Sequence, residues 1–166
     1  MPVDCIAEGA AVAHTAVADA LTLCAEVLLS EIDASDRELS LLLTDDAHIQ
    51  ALNAQWRGED KPTDVLSFAM DESDDPDTEA FAGLAAEFAA IMPLGDIIIS
   101  VETAARQGSE TGLGLAGMCR FLLVHGLCHL QGHDHAEPEE AAQMRAAEDA
   151  LWAVVGAGLQ RPPTPY

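Results

Sequence analysis

Four of the chain's six histidines fall within His125-Gly126-Leu127-Cys128-His129-Leu130-Gln131-Gly132-His133-Asp134-His135. On a helix, His125 and His129 lie one turn apart on a single face, a spacing that lets two imidazoles approach one metal ion. Gly132 can end that helix in a left-handed turn, after which the chain can swing His135 back as a third ligand. His133 competes for that third place, with Asp134 beside it as a carboxylate able to orient an imidazole, but the spacing favours His135. Three histidines leave one position of a tetrahedral zinc open for water, so the chemistry indicated is metal-assisted hydrolysis.

The order His-x3-His-x2-Gly-x2-His is also the ligand spacing of metzincin peptidases. Those enzymes carry a glutamate general base directly after the first histidine, where this chain has Gly126. Without that carboxylate, proton transfer to a leaving amine needs another residue, which argues against peptide cleavage. Cys128 sits about 100° round the helix from His129 and is expected to pack away from the metal, with Cys119 and Met118 in the core. Asp64 and Asp96 each stand where a strand begins, beside Thr63 and Gly95, and are read as capping or turn residues.

Several elements must position these groups. The stretch from Ala10 to Leu29 reads as an amphipathic helix, since His14, Asp19 and Glu26 interrupt it and make a membrane span unconvincing. Glu38 to Leu43 is a short apolar run that predicts a buried strand, and Thr44-Asp45-Asp46 supplies the cap of a helix running to about Trp56. Gly58 stops that helix, Pro62 keeps Lys61 extended, and Thr63 to Phe68 reads as a second strand. Leu94 to Ser100 is the third strand, followed by a helical turn over Val101 to Gln107. Leu115 to Gln131 is spaced as a largely buried helix, and Glu137-Pro138-Glu139-Glu140 opens a last helix to about Val155. Together these elements read as one compact domain over 1–160 with a loose tail over 161–166. An acidic insertion spans 71–92: a solvated loop over 71–79, then a short helix on which Phe81, Leu84, Phe88 and Ile91 share a face.

Length and composition allow this, because 166 residues with 49% apolar content can bury one substantial core. The charge is extreme. With 7 Lys and Arg against 29 Asp and Glu, the net value is −22, and Lys61 is the single lysine. That balance excludes a module that grips nucleic acid through a broad basic face, while suiting solubility. Cys5, Cys24, Cys119 and Cys128 form no CxxC pair, and Met1-Pro2-Val3-Asp4 lacks the basic start of a secretory signal, so the expected compartment is the cytoplasm.

Three ordered segments carry a family resemblance: Leu52-Asn53-x-x-Trp56-Arg57 leading to Pro62-Thr63-Asp64-Val65-Leu66-Ser67-Phe68, then Leu94-Gly95-Asp96-Ile97-Ile98-Ile99-Ser100, then the histidine run. In these the sequence resembles the YbeY family of bacterial endoribonucleases and ribosomal-RNA maturation factors. The family's zinc signature, close to His-Gly-x-x-His-Leu-x-Gly-[Tyr/His]-Asp-His, is matched throughout 125–135. The resemblance implies a single α+β domain with a small mixed sheet flanked by five or six helices, one zinc per chain on His125, His129 and His135, and cleavage of single-stranded RNA in the maturation of the 16S 3′ end and in ribosome quality control. It implies partners in RNA and the ribosomal particle, and neither DNA nor membrane. It also matches Arg57 to the family's functional arginine, a role suited to a guanidinium that binds phosphate oxygens bidentately. By its neighbours alone, Arg57 would be assigned to an ion pair with Glu59, Asp60 or Asp64.

No general base is evident, so two routes stay open: attack on phosphorus by activated water, or by the RNA 2′-hydroxyl. A second class of reading is an assembly factor with a structural zinc, closed by His133 or Cys128 as a fourth ligand. A third is a metal-dependent hydrolase of another substrate. With so few cations, recruitment through ribosomal proteins is more attractive than direct capture of naked RNA.

Overall fold

Near-continuous apolar runs make strands that can be covered on both faces, and two of them form the middle of the sheet. These are β2 (Leu39–Thr44) and β4 (Gly95–Ser100), flanked by β1 (Val3–Ala7) and β3 (Val65–Ala69) in the order β1-β2-β4-β3. The computed structural model describes residues 3–69 and 93–162. β1 pairs with β2, and β2 with β4, in parallel, with Leu41 opposite Ile97; β3 runs antiparallel to β4, with Ser67 opposite Ile97. The sheet is therefore mixed, and β3 is its edge on one side.

A 3₁₀ turn over Gly9–His14 leads into α1 (Thr15–Glu31), and α2 (Asp46–Arg57) connects β2 to β3. Behind β4 come α3 (Val101–Thr111), α4 (Gly114–Leu130) and α5 (Pro138–Val155). α4 is buried almost all round, from Met118 through Phe121 and Leu123 to Cys128, because it packs against the sheet, α1, α3 and α5 at once. A smaller cluster of Ile49, Leu66 and Ile98, with Leu42, Leu52 and Phe68 at its margin, seats α2 on the opposite face of the sheet. Thus Leu66 and Phe68 point toward α2, while Ser67 points toward α4.

Among the described residues, the α+β fold with a small mixed sheet and five α-helices is as expected, and α2 has the Asp45 cap, whose carboxylate accepts from the His48 N–H at 3.0 Å. Three details differ. The N-terminal helix starts at Thr15 rather than near Ala10, because Gly9–His14 winds as a 3₁₀ turn. β1 has no counterpart in the sequence reading, since its five residues carry no distinctive pattern and are held by pairing with β2. Arg161, read as part of a loose tail, is instead anchored: its guanidinium donates to the Arg145 carbonyl at 3.1 Å and to Asp149 at 2.7 Å. The acidic loop and short helix expected over 71–92 lie outside the described residues. By length and composition Gly9–Glu31 could cross a membrane, yet Leu21, Ala25, Leu28 and Leu29 of α1 are buried in the main core.

Candidate metal and phosphate site

α4 ends at the surface of the core, and its last two turns carry His125 and His129 side by side. Gly132, at φ +94°, makes the left-handed turn that a side chain would strain, and the chain beyond it returns His135 to the same point. One ring nitrogen from each of His125, His129 and His135 lies within 4.8 Å of the other two. His125 Nε2 and His129 Nε2 face each other at 3.2 Å. Two imidazole nitrogens so close need a proton or a cation between them, and a tetrahedral ion with bonds of about 2.0–2.1 Å holds its ligand atoms roughly 3.3 Å apart. Burial, then the neighbouring His125 and His135, push His129 down to about 4, so it is neutral near pH 7 with a lone pair to donate.

A residue that the motif does not contain orients the first histidine of the cluster. Glu148 of α5 is fully buried, and its Oε1 accepts from His125 Nδ1–H at 3.1 Å. A carboxylate can only accept, so Nδ1 carries the proton and Nε2 turns its lone pair toward the cluster. Arg161 reaches Glu148 Oε2 at 3.3 Å, stacks over Phe121 at 5.8 Å, and balances the buried charge. The sequence held one signal for this. In α5 the buried positions are Ala141, Met144, Glu148, Leu151 and Trp152, so an acid occupies the apolar stripe.

The donor set fits a divalent ion of zinc's character: three imidazole nitrogens, one with its tautomer fixed by a carboxylate. His133 lines the neighbouring cleft, and its backbone N–H bonds the Cys128 carbonyl, but its ring is not in the cluster. Cys128 is fully buried with its thiol pushed up to about 12 by burial and by the Glu148 charge. Among the described residues no fourth imidazole, thiol or carboxylate joins the three. Gly126 has a reason of its own. A Cβ there would stand 2.9 Å from Ser67 Oγ and 3.1 Å from Ile97 Cγ2, so α4 lies too close to β3 and β4 for a metzincin-type glutamate.

The histidines open onto a cleft of about 930 Å³ whose other wall includes Asn53, Arg57, Asp64, Ser67 and Gln107. Gly58, at φ +71°, ends α2 and leaves Arg57 at its exposed last turn. Arg57 Nη2 donates to the Ser67 carbonyl on the outer edge of β3 at 2.8 Å, and its guanidinium stands 5.2 Å from the Phe68 ring centre. The ion pair expected from its sequence neighbours does not form: Lys61 takes Glu59 at 3.3 Å, Gln50 takes Asp60 at 3.0 Å, and Asp64 is engaged elsewhere. Asp64 accepts from Val65 N–H at 2.8 Å and Gln107 Nε2 at 3.2 Å, a turn-holding role, while Asn53 Nδ2 donates to the Lys61 carbonyl at 2.9 Å and pins the loop between α2 and β3. Three imidazoles on one wall and a guanidinium on the other can hold a cation and a phosphodiester side by side.

A family model described as endoribonuclease YbeY matches residues 6–156. The chain belongs to the endoribonuclease YbeY family. The relatives named endoribonuclease YbeY include that of Heliobacterium modesticaldum, 48% identical over 126 residues, which cover 76% of this chain and 73% of the relative. That of Moorella thermoacetica is 49% identical over 128 residues, 77% of this chain and 78% of the relative. That of Paramagnetospirillum magneticum is 44% identical over 134 residues, 80% and 77% of the two chains. A solution structure of a Thermotoga maritima protein superposes with a TM-score of 0.56 at 20% identity, covering 98% of this chain and 97% of the other, a likeness of fold. The YbeY match begins within β1 and runs to the end of α5, so it contains both walls of the cleft.

Proposed function

We propose that this chain is a zinc-dependent endoribonuclease of the cytoplasm that cuts single-stranded RNA, with a role in maturation of the 16S 3′ end and in ribosome quality control. His125, His129 and His135 are its metal ligands and Arg57 its catalytic cation. The observation that carries this reading is the convergence of three imidazoles opposite an arginine free of acidic partners among the described residues, across one open cleft.

A divalent ion held by His125, His129 and His135 would supply Lewis acidity and would lower the pKa of water. The chain's own residues do the rest. Glu148 fixes the proton of His125 on Nδ1 and keeps Nε2 pointed at the ion. Arg57, steadied by the Ser67 carbonyl and the Phe68 face, neutralises charge that builds on the non-bridging oxygens. Gly126 removes the peptidase base by geometry, which disfavours peptide cleavage, and the ribose oxygen that leaves in RNA cleavage takes its proton from water. The nucleophile is read from the products: a 2′,3′-cyclic phosphate means the RNA 2′-hydroxyl attacks, and cleavage of a 2′-deoxy substrate means water does.

The decisive experiment is RNA cleavage by metal-loaded protein beside His129→Ala and Arg57→Ala purified in parallel. Activity in the wild type that both variants lose supports the assignment. Equal residual activity in all three marks contamination and ends the enzymatic reading. At −22, affinity for naked RNA rests on few phosphate contacts, so a shallow salt dependence is expected and delivery through ribosomal proteins is favoured.

A further inference from the structure

One large aromatic side chain is left in water beside the phosphate wall. Trp56 is 63% exposed, and among the described residues it is the exposed Trp, Tyr or Phe. Its indole meets the Phe68 ring at 6.3 Å and 64°, an edge contact that fixes the ring and leaves a face open. Phe68 in turn carries the Arg57 guanidinium, and Arg57 is tied to Ser67, a residue of the cleft wall. A continuous row therefore leads from the histidines over the edge strand β3: Ser67, Arg57, Phe68, Trp56. Gly58 ends α2 two residues after Trp56, so no further helical turn covers the indole.

We propose that Trp56 is a stacking platform for one unpaired base of the RNA, in a nucleotide flanking the phosphate that Arg57 binds. This deepens the endoribonuclease reading and rests on it. The chemistry selects nucleic acid over a protein segment because the aromatic face is continuous with a guanidinium placed for phosphate, the pairing of groups that single-strand binders use. It also supplies what the charge withholds. A chain at −22 gains little from counterion release, whereas stacking is sequence-tolerant and insensitive to salt. A base in a duplex has both faces occupied by its neighbours, so such a platform selects single strands.

Trp56 reports on itself, since the other tryptophan, Trp152, is buried with its Nε1–H bonded to the Leu159 carbonyl at 2.8 Å. The test titrates metal-loaded protein with a 2′-O-methyl RNA octamer that cannot be cut through its 2′-oxygen, following tryptophan fluorescence, and repeats it with single abasic positions. Expected are quenching in the wild type, affinity within about twofold for Trp56→Phe, and a loss of about tenfold for Trp56→Ala with an unchanged salt slope. One abasic position should cost the wild type about the same tenfold and cost Trp56→Ala nothing. Equal affinity of wild type and Trp56→Ala, or equal abasic penalties in both, overturns the proposal. Cleavage of natural RNA separates the levels: wild-type protein that cuts RNA without quenching refutes the platform alone, and wild-type protein that neither binds nor cuts refutes it together with the endoribonuclease reading. Unaltered RNA affinity in Trp56→Ala with lost attachment to ribosomal particles assigns the indole to a protein contact and also refutes it.

Discussion

The two walls of the cleft are built in opposite ways. The histidine wall stands on the most buried helix of the molecule, is braced from behind by Glu148 and Arg161 of a second element, and is closed by a single glycine turn. The arginine wall is the last turn of α2, exposed to water, with its guanidinium held by one hydrogen bond to β3 and one ring contact. A metal site gains from rigidity, because ligands displaced by a fraction of an ångström lose geometry and affinity. A phosphate-binding cation must stay accessible to a polyanion that arrives from solvent. The difference teaches that metal content and cleavage can be separated by mutation, one wall at a time.

The largest effect expected is therefore a contrast. His129→Ala should lose both bound metal and cleavage, whereas Arg57→Ala should keep its full metal content and lose about 10²–10³ in cleavage rate, the usual size for removing one group that stabilises developing charge. Elemental analysis beside a gel-based cleavage assay reads both; an Arg57 variant that also loses metal would erase the distinction between the walls. Next is Glu148→Gln, which keeps the shape but not the charge that orients His125. Metal affinity should fall about 10- to 100-fold, measured by competition with a chelating dye. Because Arg161 is then left facing a neutral partner, some loss of thermal stability should accompany it.

A smaller effect belongs to the packing behind the histidines. Gly126→Ala places a methyl against Ser67 Oγ and Ile97, and should cost about 1–3 kcal/mol in denaturant unfolding. The smallest lies away from both walls, at the Asp46 carboxylate between α2 and α3. Burial raises its pKa, but hydrogen bonds from Ser100, Thr103 and Arg106 outweigh that and hold it below the ordinary 3.8. A depressed carboxyl contributes stability above its unfolded value and loses it as pH falls through the folded value. Unfolding midpoints of wild type and Asp46→Asn should accordingly differ at pH 7 and draw together in the acid range below about pH 4.

Much of this was legible because it is local. The i, i+4 histidines, the Gly132 turn, the Asp45 cap and the Gly58 stop are set by helix period and by backbone preferences within one or two turns. Apolar runs at 39–44 and 95–100 announced the two inner strands. Less legible was anything that joins distant segments. Glu148 lies 23 residues beyond His125, and an acid in the apolar stripe of α5 signals burial without naming its partner. Arg161, after the last helix and before prolines, reads as tail because its anchors on α5 appear only once the chain has folded back. For Arg57, three nearby acids argued for an ion pair, and the structure gave it a carbonyl on β3 instead.

Sequence alone determined which histidines could share an ion, their order, and the glycine where a peptidase would have its base. That glycine was a missing group in the sequence and is a contact surface in the structure: the helix is pressed on Ser67 and Ile97 there. Only the tertiary structure decided which nitrogen of His125 is turned to the cluster, what balances the charge behind it, and which group holds the Arg57 guanidinium at the cleft. The physical reason is range. Spacing along a helix follows from bond geometry within a few residues, whereas the partner of a buried charge is selected by the packing of elements far apart in the chain.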